Sequence, residues 1–89
     1  MKVYVVYYIC ELDSETLYDI LEVCYKLKDA QTVMNQDANE FERQIEEEGI
    51  KGYSDYKRYD EERSINIIGF EYTSEWYIEE RIVIWNIYW

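Results

Sequence analysis

Runs of apolar and β-branched residues at both ends of the chain flank a central stretch with helical spacing. Met1 to Cys10 is almost continuously β-forming, and both faces of the strand that it predicts carry apolar or aromatic side chains. Such a strand belongs in the middle of a sheet, because a strand with one solvated face would alternate apolar with polar residues. The polar residues 11–15 that follow predict a turn.

The segment from Leu17 to Leu27 fits two structures. As a helix, behind a cap at Asp13 or Ser14, it places one apolar stripe on its surface: Leu17, Ile20, Leu21, Cys24 and Leu27. As a strand, it divides its residues between two faces: Leu21, Val23, Tyr25 and Leu27 on one, and Glu22, Cys24 and Lys26 on the other. We favour the strand, because Val-Cys-Tyr at 23–25 has poor helix propensity and a strand here gives the first strand a hairpin partner.

Asp29 to Glu48 is predicted to form one amphipathic helix of about five turns. Its apolar residues recur at three- and four-residue steps and line one face: Ala30, Val33, Met34, Ala38, Phe41 and Ile45. Asp29 is the predicted N-cap, and Gly49 is placed to end the helix in the left-handed conformation. The apolar face is expected to pack on the sheet and unite two hairpins.

The rest of the chain predicts a connection and a second hairpin. Ile50 to Arg63 is charged and tyrosine-rich, and it predicts an ordered loop or one short helical turn. The hairpin consists of a strand from Ile65 to Thr73, a turn at Thr73-Ser74-Glu75 and a last strand from Trp76 to Trp89. The whole chain is therefore expected to be a single α+β domain, with a four-stranded antiparallel sheet in ββαββ order and the helix packed on one face.

Composition indicates what surface this fold presents. Twenty acidic residues against nine basic ones give a formal charge of -11, which repels nucleic acids and anionic membranes and attracts basic partners. Eleven Tyr, three Trp and two Phe supply side chains that bury a large area while keeping a polar edge in water. There is no His, so the commonest general base and the commonest transition-metal ligand are both missing.

Cysteine usage and the N-terminus point to a reducing compartment. Cys10 and Cys24 are too few and too far apart in sequence for a zinc quartet, and we expect them to be buried free thiols, although a disulfide between neighbouring strands is the alternative. The N-terminus lacks the features of a secretion signal, and no apolar run approaches the ~20 residues of a membrane span. A cytoplasmic protein is expected.

Dense carboxylates are candidates for catalytic or metal-binding groups. They occur at Glu79-Glu80 and at Asp60-Glu61-Glu62. Neighbours on a strand point to opposite faces, so Glu79 and Glu80 cannot act as a pair if the strand prediction holds. No segment has the spaced ligands and central Gly of a calcium loop. Lacking a nucleophile elbow and a phosphate loop as well, the chain is expected to have no enzyme activity, no cofactor and no metal site.

The outer face of the predicted helix is the leading candidate for binding. It carries one Arg, Arg43, against a set of carboxylates: Asp37, Glu40, Glu42, Glu46, Glu47 and Glu48. Helix residues four apart lie about 5 to 6 Å from one another, close to the spacing of successive phosphates, so such rows can imitate a nucleic-acid backbone. Tyr53, Tyr56 and Tyr59 would add contact area at the rim. The alternative is a solvated face that only confers solubility.

Aromatic residues on the sheet are the second candidate. One helix covers one face of a sheet, yet the strands supply more large side chains than one core can use: Tyr4, Tyr8, Tyr77, Trp85 and Trp89. The remainder would be covered by residues 53–59, by a second copy of the chain or by a partner. A structural or self-associating module, with a homodimer formed through the sheet aromatics, is therefore the alternative function.

The whole-chain profile is that of a short, strongly acidic, Tyr- and Ile-rich domain without catalytic residues. It resembles small phage- or virus-encoded inhibitors of bacterial defence, such as anti-CRISPR and anti-restriction proteins. Several of that class are similar to DNA in their surface charge. The resemblance implies a DNA-mimic inhibitor that acts by protein–protein interaction on a basic, nucleic-acid-binding surface of a host protein. The strand residues 2–8 and the helix start Lys28-Asp29-Ala30 are also similar to small bacterial domains of unknown function.

Overall fold

A computed structural model describes residues 1–84. In chain order its elements are β1 (Lys2–Glu11), β2 (Thr16–Cys24), α1 (Leu27–Glu48), β3 (Lys57–Asp60), β4 (Ser64–Ile68) and β5 (Thr73–Ile82). The strands form one antiparallel sheet in the order β2-β1-β5-β4-β3, and α1 packs on one face of it. The α+β class with a single helix is confirmed, but the sheet has five strands and not four.

Strand β1 lies inside the sheet, as its two apolar faces predicted. It pairs with β2 on one side and with β5 on the other, in a ladder that runs from Lys2 opposite Ile82 to Glu11 opposite Thr73. Val5 and Val6 point to opposite faces, and both are buried. Because β1 and β5 are long and neighbouring, they form the frame on which the other strands assemble.

Strand β2 confirms the choice of strand over helix for this segment, but the predicted faces are wrong. The register with β1 shifts by one residue between Val6 and Tyr7, so that Leu21 forms a β-bulge. A bulge moves the following side chains to the opposite face. Leu21 packs against the core, whereas Val23 is exposed and Cys24 is buried.

Helix α1 begins at Leu27, two residues before the predicted start. The N-cap is Lys26, which makes no side-chain capping bond, so the prediction that Asp29 is the cap is wrong and Asp29 lies in the first turn. The predicted apolar face is confirmed, because its members are either buried or packed against the core: Ala30, Val33, Met34, Ala38, Phe41 and Ile45. Gly49 ends the helix with φ 63° and ψ 50°, in the left-handed conformation as predicted.

Strand β3 is the element that the hydrophobic pattern missed. Its four residues, Lys-Arg-Tyr-Asp, lie in the stretch that was predicted to be a loop or helical turn. No apolar alternation marks them, because a four-residue strand at the edge of a sheet has little to bury. The strand forms by pairing with β4, where Arg58 lies opposite Ile67 and Tyr59 opposite Asn66.

The turn of the second hairpin lies earlier than predicted. Strand β4 ends at Ile68 and β5 begins at Thr73, so the connection is formed by residues 69–72 and not by residues 73–75. The Gly69 N–H donates to the Tyr72 carbonyl at 2.9 Å. A Cβ at Gly69 would overlap the Gly52 carbonyl and Tyr53, so glycine is required there by close packing. Of the predicted last strand, residues 85–89 lie outside the described part of the chain.

The core between α1 and the sheet is built around Trp76, which is completely buried together with Val6, Ile65 and Ile67. A second feature of this core is polar: the buried Ser74 hydroxyl lies 2.8 Å from the Tyr8 hydroxyl and 2.6 Å from the Tyr53 hydroxyl. Within residues 1–84, no helix has the length and apolar character that crossing a membrane requires.

Both cysteines are free thiols, as expected. They lie on different strands of the same hairpin but at opposite ends of its ladder, since Cys10 is opposite Leu17 and Cys24 is opposite Tyr4. Six residues along a strand correspond to about 20 Å, which is far beyond the span of a disulfide. Burial raises the pKa of the Cys24 thiol.

Candidate protein-binding surface

The six carboxylates predicted on the outer face of the helix all lie on α1: Asp37, Glu40, Glu42, Glu46, Glu47 and Glu48. Five of them are exposed and Glu42 is partly buried. They are not equally available to a partner, because the chain provides hydrogen-bond donors to several of them. Contacts from Arg43, from Tyr56 with Arg58 and from Trp76 hold five of the six carboxylates, and Glu48 is the sixth.

Arg43 occupies the middle of the face and binds a glutamate on each side. Its Nε donates to Glu40 at 3.0 Å, and its Nη1 and Nη2 donate to Glu47 and Glu40. The hydrogen bond from Arg43 lowers the pKa of Glu40 below its ordinary value. All three side chains are about half exposed, so the pairs order the face more than they stabilise the fold.

Tyr56 and Arg58 reach the helix from the segment that contains β3. The Tyr56 hydroxyl lies 2.6 Å from Glu46 and 3.0 Å from Glu42, and the hydrogen bond to Glu46 raises the pKa of Tyr56. Arg58 is 17% exposed and donates to Glu42 at 3.0 Å and to Asp60 at 2.8 Å. Hydrogen bonding to Asp60 is the main reason that the pKa of Arg58 is raised. Glu42 is therefore part of the anchor that holds β3 against α1.

Asp37 also contributes to the fold. Its carboxylate accepts a hydrogen bond from Nε1 of the buried Trp76 at 2.7 Å. A buried indole N–H without an acceptor would be costly, so Asp37 satisfies the one polar atom of the largest core side chain. Its position on the acidic face thus has a structural cause.

For the three consecutive glutamates at the end of α1, the fold gives no structural cause of the kind that explains the position of Asp37. There is no basic residue in the last turn of the helix. Each negative charge near a helix C-terminus interacts unfavourably with the macrodipole, at a cost in stability of about 0.3 to 1 kcal/mol at low salt. Glu47 is paired with Arg43 and Glu46 with Tyr56, whereas Glu48 is exposed beside them. Three carboxylates of this face contact no cationic side chain within residues 1–84: Asp37, which accepts from Trp76, and the two glutamates Glu46 and Glu48.

The three tyrosines predicted at the rim are placed in different environments. Tyr56 lies beside the acidic face as expected. Tyr53 is 3% exposed and belongs to the core, so its predicted place at the rim is wrong. Tyr59 is exposed on β3, opposite Asn66, whereas its neighbour Arg58 points toward α1. Since neighbours on a strand point to opposite faces, Tyr59 lies on the face of the sheet away from α1.

The aromatic residues predicted on an exposed sheet face are also divided. Tyr4 and Tyr8 lie on the side covered by α1 and pack against the core, so they do not belong to an exposed face. Tyr77 lies on the other side, where its ring stacks on Tyr7 at 4.8 Å and its hydroxyl bonds that of Tyr18. Trp85 and Trp89 lie outside the described residues.

Two contacts of this surface were not anticipated from the sequence, the bond from Trp76 to Asp37 and the bond from Arg58 to Glu42. Each joins residues that are distant in the chain through the packing of α1 on the sheet. The only signal in the sequence is weak: a basic residue in an otherwise balanced loop, and a Trp whose N–H must find an acceptor somewhere.

Of the remaining carboxylate candidates, Asp60 and the two glutamates of β5 are engaged in separate ion pairs. On β5, Glu79 pairs with Arg81, and Glu80 pairs with Lys2 and Arg63. In the part of the chain that the structure describes, no group of three or more Cys, Asp and Glu side chains is placed to hold a metal ion, and no cavity is found. No protein-family model, no curated protein and no solved structure matches this chain.

Proposed function

We propose that the protein is an inhibitor or adaptor that binds a basic, nucleic-acid-binding surface of another protein, in the manner of anti-CRISPR proteins that mimic DNA. The contact surface is the C-terminal half of α1, with Glu46 and Glu48 as its principal charges. Glu40, Glu47 and Tyr56 complete it. Asp37 and Glu42 do not contact the partner; they hold α1 in place through Trp76 and Arg58.

The observation that carries this proposal is the Tyr56 hydroxyl between Glu42 and Glu46. Tyr56 is a neutral donor, so it orders Glu46 without cancelling the charge of that carboxylate. Glu42, one helical turn away, shares the same hydroxyl and is paired with Arg58. Fixed side chains lose less conformational entropy on binding than free ones. A row of ordered carboxylates at about 5 to 6 Å spacing is what a phosphate-binding groove would accept in place of nucleic acid.

The test is binding to a panel of purified nucleases and CRISPR effector complexes, measured with duplex DNA as competitor and at increasing salt. Binding is expected to weaken steeply with salt and to be displaced by DNA, because both ligands use the same basic residues. Charge reversal by Glu46→Lys with Glu48→Lys is expected to weaken it at least tenfold. Glu42 is left intact, since its loss would remove one of the contacts by which Arg58 of β3 is held to α1.

A matched control reverses the same number of charges elsewhere. Glu61→Lys with Glu62→Lys changes the turn between β3 and β4, which contacts α1 near Gln31, about 22 Å along the helix from Glu46. This control variant should retain binding. The proposal fails if both pairs of substitutions weaken binding equally, if DNA does not compete, or if the panel contains no protein that binds.

A further inference from the structure

The free edge of β2 is a second surface, distinct from the acidic face of α1. Within residues 1–84, β2 is an outermost strand of the sheet and pairs with β1 alone. An edge strand leaves every second N–H and C=O without a partner strand, and a further chain can add there as a new strand. The register of β2 with β1 shows which residues of β2 have unpaired main-chain groups.

Hydrogen bonds at the end of the β1–β5 ladder fix the direction of these groups. Met1 and Val83 exchange hydrogen bonds between their main chains, at 3.2 and 2.7 Å. Hydrogen-bonded and non-hydrogen-bonded pairs alternate in an antiparallel ladder, so the odd residues of β1 bond to β5 and the even residues bond to β2. Before the bulge, in residues 16–20 of β2, the partners of even β1 residues are Leu17 and Asp19. The main-chain groups of Thr16, Tyr18 and Ile20 therefore point outward.

The two edges of the sheet differ in how well they are protected. Strand β3 is four residues long and begins with Lys57 and Arg58, and short length and Lys are common protections of an edge. Strand β2 is nine residues long and contains neither Lys nor Pro. The bulge at Leu21 leaves a regular run of five residues, 16–20. Three of its side chains are large, apolar and about half exposed or more: Leu17, Tyr18 and Ile20.

The negative charge around β2 favours a basic segment as the chain that binds to this edge. The sequence from residue 3 to residue 25 contains no Lys or Arg, and its acidic residues lie on β2 and the hairpin that leads to it: Glu11, Asp13, Glu15, Asp19 and Glu22. A second copy of the chain would bring an identical set of five negative charges to the same place, and like charges across a strand pair are destabilising. A basic strand gains from both the charges and the apolar side chains.

We propose that β2 binds an extended, basic segment of a partner protein, which adds to the sheet as a sixth strand beside residues 16–20. Alternate side chains of that segment are apolar and pack on Tyr18 and Ile20. The others are Lys or Arg and lie beside Asp19. This surface is separate from that of the proposed function and stands if the helix carboxylates bind nothing.

The probe is a synthetic seven-residue peptide that alternates Lys with Val, compared with a peptide in which Glu replaces each Lys. Binding is followed by amide hydrogen exchange in the full chain. The Lys peptide should slow exchange at the amides of Thr16, Tyr18 and Ile20 and leave those of Leu17 and Asp19 unchanged, because these already bond to β1. Such a pattern distinguishes strand addition from loose attraction to the acidic helix.

Substitutions at Thr16 separate the contribution of main-chain hydrogen bonds to peptide binding from that of the side chains. Thr16→Pro removes one outward N–H and no ladder hydrogen bond, and it should weaken peptide binding several-fold, whereas Thr16→Val should not. A second variant, Tyr18→Thr with Ile20→Thr, keeps every N–H and strand propensity but removes the apolar contacts, and it should also weaken binding. Circular dichroism checks that each variant is folded.

Several results would overturn the proposal. They are no binding of the Lys peptide, binding without protection of the three amides, equal binding of the Glu peptide, and equal binding by Thr16→Pro and Thr16→Val. Protection of the same amides in the free protein that increases with protein concentration would show that a second copy occupies the edge instead.

Discussion

At the scale of single residues, the most constrained group is the Ser74 hydroxyl. Ser74 is completely buried and lies within hydrogen-bond distance of two tyrosine hydroxyls, those of Tyr8 and Tyr53. The Tyr53 hydroxyl also lies 3.5 Å from the Cys10 sulfur. The sequence predicts a turn at this serine, yet in the structure Ser74 links two strands, β1 and β5, with the loop that carries Tyr53.

Removing the Ser74 hydroxyl should lower the free energy of unfolding. Ser74→Ala leaves two tyrosine hydroxyls in the core short of a partner, and we expect a loss of about 1 to 3 kcal/mol in the free energy of unfolding. Urea denaturation measures it. In a background with Tyr8→Phe and Tyr53→Phe, the same substitution should cost less, because no buried phenol is left unpaired.

Ser54→Ala is the matched control for this residue. Ser54 is exposed in the loop after α1, and its loss should change stability by no more than about 0.5 kcal/mol. A Ser74→Ala variant as stable as the Ser54→Ala variant would show that the two phenols find other partners.

At the scale of elements, α1 shows how one residue ends a helix. Gly49 has φ 63° and its N–H bonds to the Ile45 carbonyl at 3.0 Å. A Cβ at this position would have no neighbour within 4 Å. Any cost of a side chain at Gly49 therefore comes from the backbone conformation and not from a clash.

Gly49→Ala should therefore lower the free energy of unfolding by about 1 kcal/mol, since the left-handed conformation costs an L-residue roughly 1 to 2 kcal/mol. Gly49→Asn should cost less, because Asn tolerates this conformation better. Thermal unfolding of the two variants and of the unsubstituted chain measures the order of their stabilities. An Ala variant more stable than the Asn variant would contradict the interpretation.

The elements also differ in how well their sequences reveal them. Helix α1 and strand β1 are long and bury a whole face or both faces, so burial imposes a regular pattern on the sequence. Strand β3 buries little, and nothing in Lys-Arg-Tyr-Asp distinguishes it from a charged loop. Its structure depends on two distant partners, β4 through the main chain and Glu42 through Arg58.

At the scale of the whole molecule, ionisation of the buried Tyr53 and of the partly buried Tyr8 limits stability at high pH. Burial raises the pKa of Tyr8 and of Tyr53 above the ordinary value of 10.0 in the folded protein. The unfolded chain loses these protons near that value, while the folded chain keeps them. The contribution of both groups to stability is therefore complete below about pH 10 and is lost as the pH rises further.

We expect the urea midpoint to fall as the pH is raised from about 9 to about 11. The variant with Tyr8→Phe and Tyr53→Phe is the control, because it has lost the two groups and its midpoint should fall less steeply. Tyr56 and Tyr77 have raised pKa values from hydrogen bonds to Glu46 and to Tyr18, so the control should retain a smaller slope. Equal slopes in the two proteins would exclude Tyr8 and Tyr53 as the cause.

The sequence by itself determined the α+β class, the inner strand β1, the apolar face of α1 and the left-handed end of the helix at Gly49. These features depend on local spacing, on burial of a regular face or on the conformational freedom of one residue. The excess of negative charge was equally plain, since charge adds along the chain without regard to structure.

Tertiary structure alone decided the rest: the edge strand β3, the turn at residues 69–72, the burial of Tyr53 and the division of the acidic face between ordered and free carboxylates. Each depends on which distant residue lies opposite, such as Asp37 beneath Trp76 or Glu42 beside Arg58. Local patterns do not encode such pairings, because the same carboxylate can be a solvated charge, a cap for a buried N–H or an anchor for a strand.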